Sequence, residues 1–326
     1  MSAAAAPVPA RSSALRRLVS GYGQELIILA AIVALMIVVG LYNPRFMSQS
    51  NLTSIFAGNA YIAVAAIGMS MVIISGNIDV AVGSLIGVLA VLSGTLAVGG
   101  YPIWVAWAAP VVVGILVNAG VGALVAYARI PSIVVTLGML SILKGGLISV
   151  TAGAWITGLP EGYAIAQARL FGVPAPVWFM VVLTIAAAWW MRNSGFGRTI
   201  YAIGGNPEAA RASGIRIERS IVAVFAIHGF FVGIAAVLFA TQLQVIQSTV
   251  PPNLELTVIT ASVVGGVSIL GGTGTVIGST LAAILFAAIG SSLIFLNVSA
   301  YWLRAVQGLL ILATVLADMA RRHRIR

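Results

Sequence analysis

The chain contains no cysteine, one lysine and two histidines. Without cysteine there is no disulfide, no thiolate metal site and no thiol nucleophile, and the redox compartment goes unmarked. The lysine, Lys144, is followed by Gly145. A phosphate-binding P-loop needs Lys followed by Ser or Thr after a glycine-rich turn, so the sequence supplies no ATPase motif of its own. His228 and His323 have no metal-ligand spacing, which argues against a zinc hydrolase and leaves no metal residues to name. Charge is scarce as well. Asp, Glu, Lys and Arg make up 7% of the residues, against roughly 25% in a soluble domain, and that excludes an ordinary water-soluble globule.

What fills the space is apolar. Hydrophobic residues account for 60% of the 326, with 36 glycines in no collagen-like period, and the mean hydropathy is +1.10. A membrane-crossing helix needs about 17 to 25 apolar residues. Such runs fall near 24–42, 52–75, 81–98, 102–127, 131–150, 175–191, 219–241, 254–270, 275–296 and 301–317. The fold class expected is therefore all-α, a polytopic transmembrane helical bundle of about ten spans. The regions 70–85 and 265–278 are the places where broken helices or re-entrant hairpins are expected. The first run is too long for a secretory signal core and has no small-residue cleavage site after it, so it reads as a retained span.

The formal net charge is +10, and topology accounts for it better than nucleic acid does. With an inside start, Arg11, Arg16, Arg17, Arg129, Arg192, Arg198, Arg211, Arg216, Arg219, Arg321, Arg322, Arg324 and Arg326 fall inside, while Arg45 and Arg169 fall outside. That bias predicts both termini in the cytoplasm. The resulting organisation is a cytoplasmic N-terminal segment (1–23), a transmembrane domain (24–318) containing a long cytoplasmic loop (192–218), and a basic cytoplasmic tail (319–326). On the outer side the longest loop, about 151–174, carries Trp155, Tyr163 and Phe171 as interface aromatics.

Polar residues are few enough to weigh singly. "GGNPEAARASGI", Gly204 to Ile215, sits at the centre of the cytoplasmic loop. Pro207 occupies a first-turn position and Glu208 the positive end of a short helix. "ISGNIDVAVGS", Ile74 to Ser84, puts Asn77 and Asp79 among apolar residues. Asp79 has two open readings, a buried cap on the next helix or a direct ligand contact. Lys144 is either its ionic partner or a side chain that snorkels outward. Asn118, Gln242, Gln244 and Gln247 are amides near membrane depth or helix ends, suited to a polyhydroxylated solute or to interhelical hydrogen bonds. His228 reads as a packed or hydrogen-bonded histidine, since no neighbouring acid in the sequence forms a relay with it. "GGTGTVIG", Gly271 to Gly278, has the wrong spacing for a dinucleotide loop. Gly274 with Gly278, Gly83 with Gly87 and Gly229 with Gly233 read instead as small-xxx-small helix-packing pairs.

Taken together, "ISGNIDVAVGS", "ARIPSIVVTLGML", "GNPEAARASGI", "VVGGVSILGGTGTVIGS" and "SAYWLRAVQGLLILATVLAD", in that order, resemble the permease subunits of bacterial ABC importers for monosaccharides. That group handles ribose, xylose, rhamnose and the sugar-like signal autoinducer-2. The likeness extends from about residue 24 to 318, and "GAWITGLPE" in the outer loop is closest to the rhamnose and autoinducer-2 branches. The resemblance implies a multi-pass protein of the bacterial inner membrane working by alternating access. Its partners would be ABC ATPase subunits, a periplasmic solute-binding protein and a second permease copy or related permease. ATP and magnesium would sit on the ATPase, with no cofactor in this chain and no nucleic acid. It also implies that Gly205, Asn206, Pro207, Glu208, Ala209, Ala210, Arg211 and Gly214 form the surface that couples to the ATPase. Asn77, Asp79, Asn118 and Lys144 are the candidates for the substrate pathway or its gating. Two alternatives remain at this point. One is a secondary transporter driven by an ion gradient, with Asp79, Lys144 and Glu255 as its charged relay. The other is an importer permease for branched-chain amino acids. No nucleophile and base can be paired, so no catalytic residue is expected.

Overall fold

The computed structural model describes residues 14–242, 245–249, 252–299 and 301–323. Arg11, Gln244, Arg324 and Arg326 lie outside them. The described chain is helical almost throughout. In order come α1 (Ala14–Tyr42), α2 (Gln49–Phe56), α3 (Ala60–Ile74), α4 (Val82–Val98), α5 (Ile103–Tyr127), α6 (Ser132–Thr151), α7 (Ala175–Asn193), α8 (Gly195–Gly205), α9 (Pro207–Ala212), α10 (Ile217–Ala240), α11 (Leu254–Val264), α12 (Val276–Phe295) and α13 (Trp302–His323). Helices are the form expected of such a composition, because a backbone in lipid must satisfy its own N–H and C=O groups.

Among the described residues, eight helical stretches are long and apolar enough to cross a membrane, the stretch Gln49–Ile74 taking α2 and α3 together. Two of the ten expected spans are shorter apolar helices, α4 and α11. The helical path is interrupted at 75–81 and again at 265–275, within the two regions where breaks are expected from sequence. A smaller interruption separates α2 from α3, where the Asn59 amide donates to the Ser54 carbonyl at 3.1 Å and to that of Ile55 at 3.4 Å. These bonds compete with the helical ladder. Helix α1 is described from Ala14, so it extends ahead of the apolar run.

α3 is the axis of the bundle. Every residue in it except Tyr61 is buried, and α7, α10, α11 and α12 pack around it. Its sequence, AYIAVAAIGMSMVII, has no polar face to present, which is what a helix hidden on all sides requires. Interhelical hydroxyls fix the packing. Ser70 Oγ lies 2.6 Å from Ser279 Oγ on α12 and donates to Ser262 Oγ on α11 at 3.3 Å, while Thr184 on α7 lies 2.9 Å from Thr280 on α12. By contrast α6 and α13 bury little of their surface against the rest of the chain.

α5 and α10 meet through glycine. A Cβ on Gly229 would overlap the Gly114 carbonyl oxygen, and one on Gly233 would lie 2.5 Å from Val111 Cα. Gly229→Ala is expected to destabilise the bundle by about 1–3 kcal/mol through overpacking, read as a lower thermal-unfolding midpoint in detergent. An unchanged midpoint would show that the helices separate at no cost. Gly83 lies on α4 and abuts the start of α11, where a Cβ would stand 2.7 Å from Glu255 Oε2. Gly87 is also buried in α4. The pairing of Gly274 with Gly278 needs correction. Gly274 precedes α12 with φ +142°, so the two do not share a helical face. Gly278 instead abuts the Gly265 carbonyl and Gly274 packs on Val267.

The long loop between α6 and α7 contains a small antiparallel hairpin, β1 (Arg169–Leu170) with β2 (Val173–Pro174). Trp155 and Phe171 are exposed there, but Tyr163 is not an interface residue. It is buried at 1% exposure, and its hydroxyl donates to Ser93 Oγ at 2.8 Å. Burial pushes its pKa up to about 12, against the lowering effect of the Ser93 bond. The loop is further tied down where Ile156 and Ile246 exchange backbone hydrogen bonds.

Candidate functional site

The break between α3 and α4 is built by Gly76, which takes φ +86°, a conformation that glycine adopts without penalty. The chain then runs through Asn77 and Ile78 to Asp79, which is fully buried. Asp79 Oδ1 accepts the Ala81 N–H at 2.8 Å in the turn just before α4, while α4 itself starts without a side-chain cap, so Asp79 closes the turn rather than capping the helix. Its second oxygen faces His228 Nε2 on α10 at 3.3 Å, with neither side chain exposed by more than 1%. Among the described residues neither Asp79 Oδ2 nor the ring nitrogens have a hydrogen-bond partner, so the two groups are in close contact away from water. A carboxylate at membrane depth is costly without a partner, and His228 stands in that position. Gly68 on α3 makes room for the imidazole, since a Cβ there would come within 2.6 Å of His228 Nδ1.

Two expectations change here. His228 does have a nearby acid, brought to it by the packing of α10 on α3 and α4. Lys144 does not pair with Asp79, because it lies exposed on α6. Asn77 donates within its own turn, to Ser75 Oγ at 3.2 Å. Asn118 is buried on α5, and neither atom of its amide has a hydrogen-bond partner among the described residues. It stands one turn from Gly114 and from Gly122, where α5 closes on α10, so it belongs to that seam. Gln242 donates to the Gly58 carbonyl at 2.9 Å, and Gln247 is exposed.

The loop after α7 holds two short helices where one is expected, and Asn206 divides them. Its Oδ1 accepts the Ala209 N–H at 3.0 Å and caps α9, with Pro207 in the first turn and Glu208 near the positive helix end. Gly205 therefore ends α8, while Gly214, at φ +84°, follows α9. Asn206, Pro207, Glu208, Ala209 and Arg211 are exposed. Ala210 is not part of that surface. It is buried against Ile203 and Ile217, and so roots α9 on α8 and α10. Arg211 pairs with Glu218 at 2.7 Å rather than standing free. Beside α9 lies an open cleft of about 620 Å³ formed by Arg129, Pro207, Glu208, Arg211, Ala212 and Ile217. Arg129 holds a positive φ of 57° in the turn between α5 and α6. That conformation is uncommon for a residue with a side chain, and it marks the turn as constrained.

Sequence reasoning misplaces Tyr163 and misses Gly68 and the Ser70, Ser262 and Ser279 hydroxyls. Each is ordinary in its own run and acquires a role through a neighbour distant in sequence. The Asp79–His228 pair had a weaker signal available, since both are ionisable groups isolated in apolar runs.

A helical membrane bundle whose central helix ends at a break where a buried acid faces a buried histidine, with a capped helix exposed beside a cleft at a loop, fits a membrane transport permease. The chain belongs to the family described as branched-chain amino acid transport system / permease component, whose model matches residues 51–315. It is 38% identical over 296 residues to the autoinducer 2 import system permease protein LsrC of Salmonella typhi, covering 90% of this chain and 85% of that one. To the protein of the same name in Escherichia coli O9:H4 (strain HS) it is 36% identical, covering 90% and 86%. No solved structure matches the chain.

Proposed function

We propose that the chain is the membrane-spanning subunit of an ATP-driven importer for autoinducer-2 or a closely similar small, sugar-like solute. The observation that carries this reading is the 38% identity with an autoinducer 2 import permease across 90% of the chain. The solute crosses by alternating access between two permease copies in a bacterial inner membrane. The chain crosses that membrane ten times, α4 and α11 each completing a pass with the irregular segment beside it, and both termini lie in the cytoplasm. A periplasmic binding protein delivers the solute to the face carrying the α6–α7 loop. Two ATPase subunits, which bind ATP and magnesium, dock on α9 and its cleft from the opposite side.

The physical chemistry fits. α9 is short, capped and exposed, with an acidic residue at its start and small alanines alongside, the form of a helix that seats in a partner's groove. ATP drives transport by binding more tightly to one conformation of the assembly than to the other, since equal binding would shift nothing. A branched-chain amino acid would need charged partners for both its carboxylate and its ammonium, and the cations within the candidate spans do not favour one: Arg192, Arg219 and Arg304 lie at helix ends and Lys144 is exposed on α6. The test is uptake into vesicles holding the chain with its ATPase and binding protein, supplied in turn with autoinducer-2, ribose and leucine. We expect ATP-dependent uptake of autoinducer-2 that a protonophore leaves intact. Uptake of leucine instead would move the substrate to amino acids, and ATP-independent uptake abolished by a protonophore would overturn the importer reading.

A further inference from the structure

The end of α8 and the break after α3 are in backbone contact. α3 ends at Ile74, and the carbonyl of that residue accepts the Gly272 N–H, from the segment between α11 and α12, at 2.8 Å. Gly204, on the last turn of α8, packs directly under the same carbonyl. A Cβ on Gly204 would overlap the Ile74 oxygen and would stand 2.7 Å from the Gly272 nitrogen. Gly271 and Gly272 take positive φ values of 79° and 77°. A Cβ on Gly271 would lie 2.9 Å from the Gly204 oxygen and 3.1 Å from Gly76 Cα. One turn back on α8, the Tyr201 hydroxyl donates to the Gly274 carbonyl at 2.9 Å. Three segments therefore meet without intervening side chains, and the contact has no soft layer to absorb displacement.

Each segment leads directly to a feature already described. Asn206 follows Gly204 and Gly205 and caps α9. Gly76 leads through Asn77 and Ile78 to Asp79 and hence to His228. The Ile78 N–H donates to Ser132 Oγ at 3.1 Å, joining the break to the first turn of α6, the sparsely buried helix that carries Lys144. Beside the break, an open cleft of about 540 Å³ bordered by Gly76, Asn77, Arg129 and Ser132 leaves the backbone room to shift.

We propose that this glycine contact is the joint by which movement of α9 is transmitted to the α3–α4 break and the start of α6, with Gly204 as its positioning residue. The inference rests on the importer reading, in which the ATPase moves α9. Packed interiors switch between discrete arrangements rather than deforming continuously, so a filled joint stays in one of them. Gly204→Ala is the direct test, in the assembled complex with ATPase and binding protein. Three quantities are read: recovery of the complex, autoinducer-2 uptake, and the ratio by which the binding protein stimulates ATP hydrolysis.

We expect the complex to be recovered, uptake to fall about tenfold or more, and the stimulation ratio to fall towards one. Gly120→Ala, where an added Cβ meets nothing within 4 Å, is expected to leave all three unchanged. Tyr201→Phe removes the Gly274 bond without adding bulk, and is expected to lower the stimulation ratio about two- to fivefold with the complex intact. Normal uptake and normal stimulation in Gly204→Ala would overturn the joint. Should that variant fail to assemble, unchanged stimulation in Tyr201→Phe would overturn it instead. A wild-type complex without ATP-dependent uptake would count against the importer reading, a result separable from any failure of the joint.

Discussion

Replacing Glu208 with arginine is expected to cut ATP-driven uptake at least about tenfold while the chain reaches the membrane at normal abundance. Glu208 is the one acidic residue on α9, exposed at its first turn. Around it the loop and the adjoining turn carry Arg129, Arg192, Arg198, Arg211, Arg216 and Arg219. Reversal adds a further positive charge on the docking surface, and a like-charge contact at an interface costs several kcal/mol, where about 1.4 kcal/mol is already a factor of ten in affinity. A smaller part of the effect is internal to the helix. An acid near the positive end of a helix contributes about 0.3–1 kcal/mol, which arginine would turn into a penalty.

Glu208→Gln separates the two effects, since it removes the charge without reversing it and should therefore cost less than half as much in binding free energy. Co-purification of the ATPase with each variant, beside uptake in the same membranes, is the measurement. Normal uptake and normal ATPase recovery in Glu208→Arg would remove α9 from the interface.

The sequence discloses the long spans and the interruptions for a simple reason. Length and composition decide whether a run crosses a membrane, and the glycines and polar residues of "ISGNID" and "VGGVSILGGTGT" mark where it cannot stay helical. The start of α9 is equally local, because the Asn206 cap and Pro207 act within a single turn. Orientation is not local. Whether Ala210 faces outward or inward depends on Ile203 and Ile217, and only the second of these belongs to a neighbouring span. Tyr163 looks like an interface aromatic until Ser93 accepts its hydroxyl. Gly274 looks like half of a helix-packing pair, but the Thr275 side chain caps α12 just after it, which leaves Gly274 outside the helix and packed on Val267. Asp79 was conspicuous as an isolated charge, whereas its partner was fixed by the packing of α10 on the central helix, which no periodicity in either segment encodes.

For that buried pair, breaking one side is expected to cost more than removing both. His228→Gln leaves Asp79 facing an amide in a fully buried site, and disrupting a buried pair this way costs about 3–5 kcal/mol. Asp79→Asn keeps an oxygen to accept the Ala81 N–H, so it tests the carboxyl while retaining that turn contact. The double variant Asp79→Asn/His228→Gln places two neutral amides in contact, and should recover part of the loss with a coupling energy of about 0.5–3 kcal/mol. Thermal-unfolding midpoints of the three proteins in detergent measure this, and strictly additive losses would mean that the two groups do not interact. Asp79→Asn is also expected to impair uptake more than Asn118→Ala, because Asp79 sits at the break whereas Asn118 sits in the α5–α10 seam. Its effect should fall on the maximal rate rather than on the solute concentration giving half-maximal uptake. With exposures of 0% and 1%, neither member of the pair has surface to offer a solute, and their contribution comes through holding the foot of α4 against α10. A variant with a normal maximal rate and a raised half-saturating concentration would place Asp79 in contact with the solute after all.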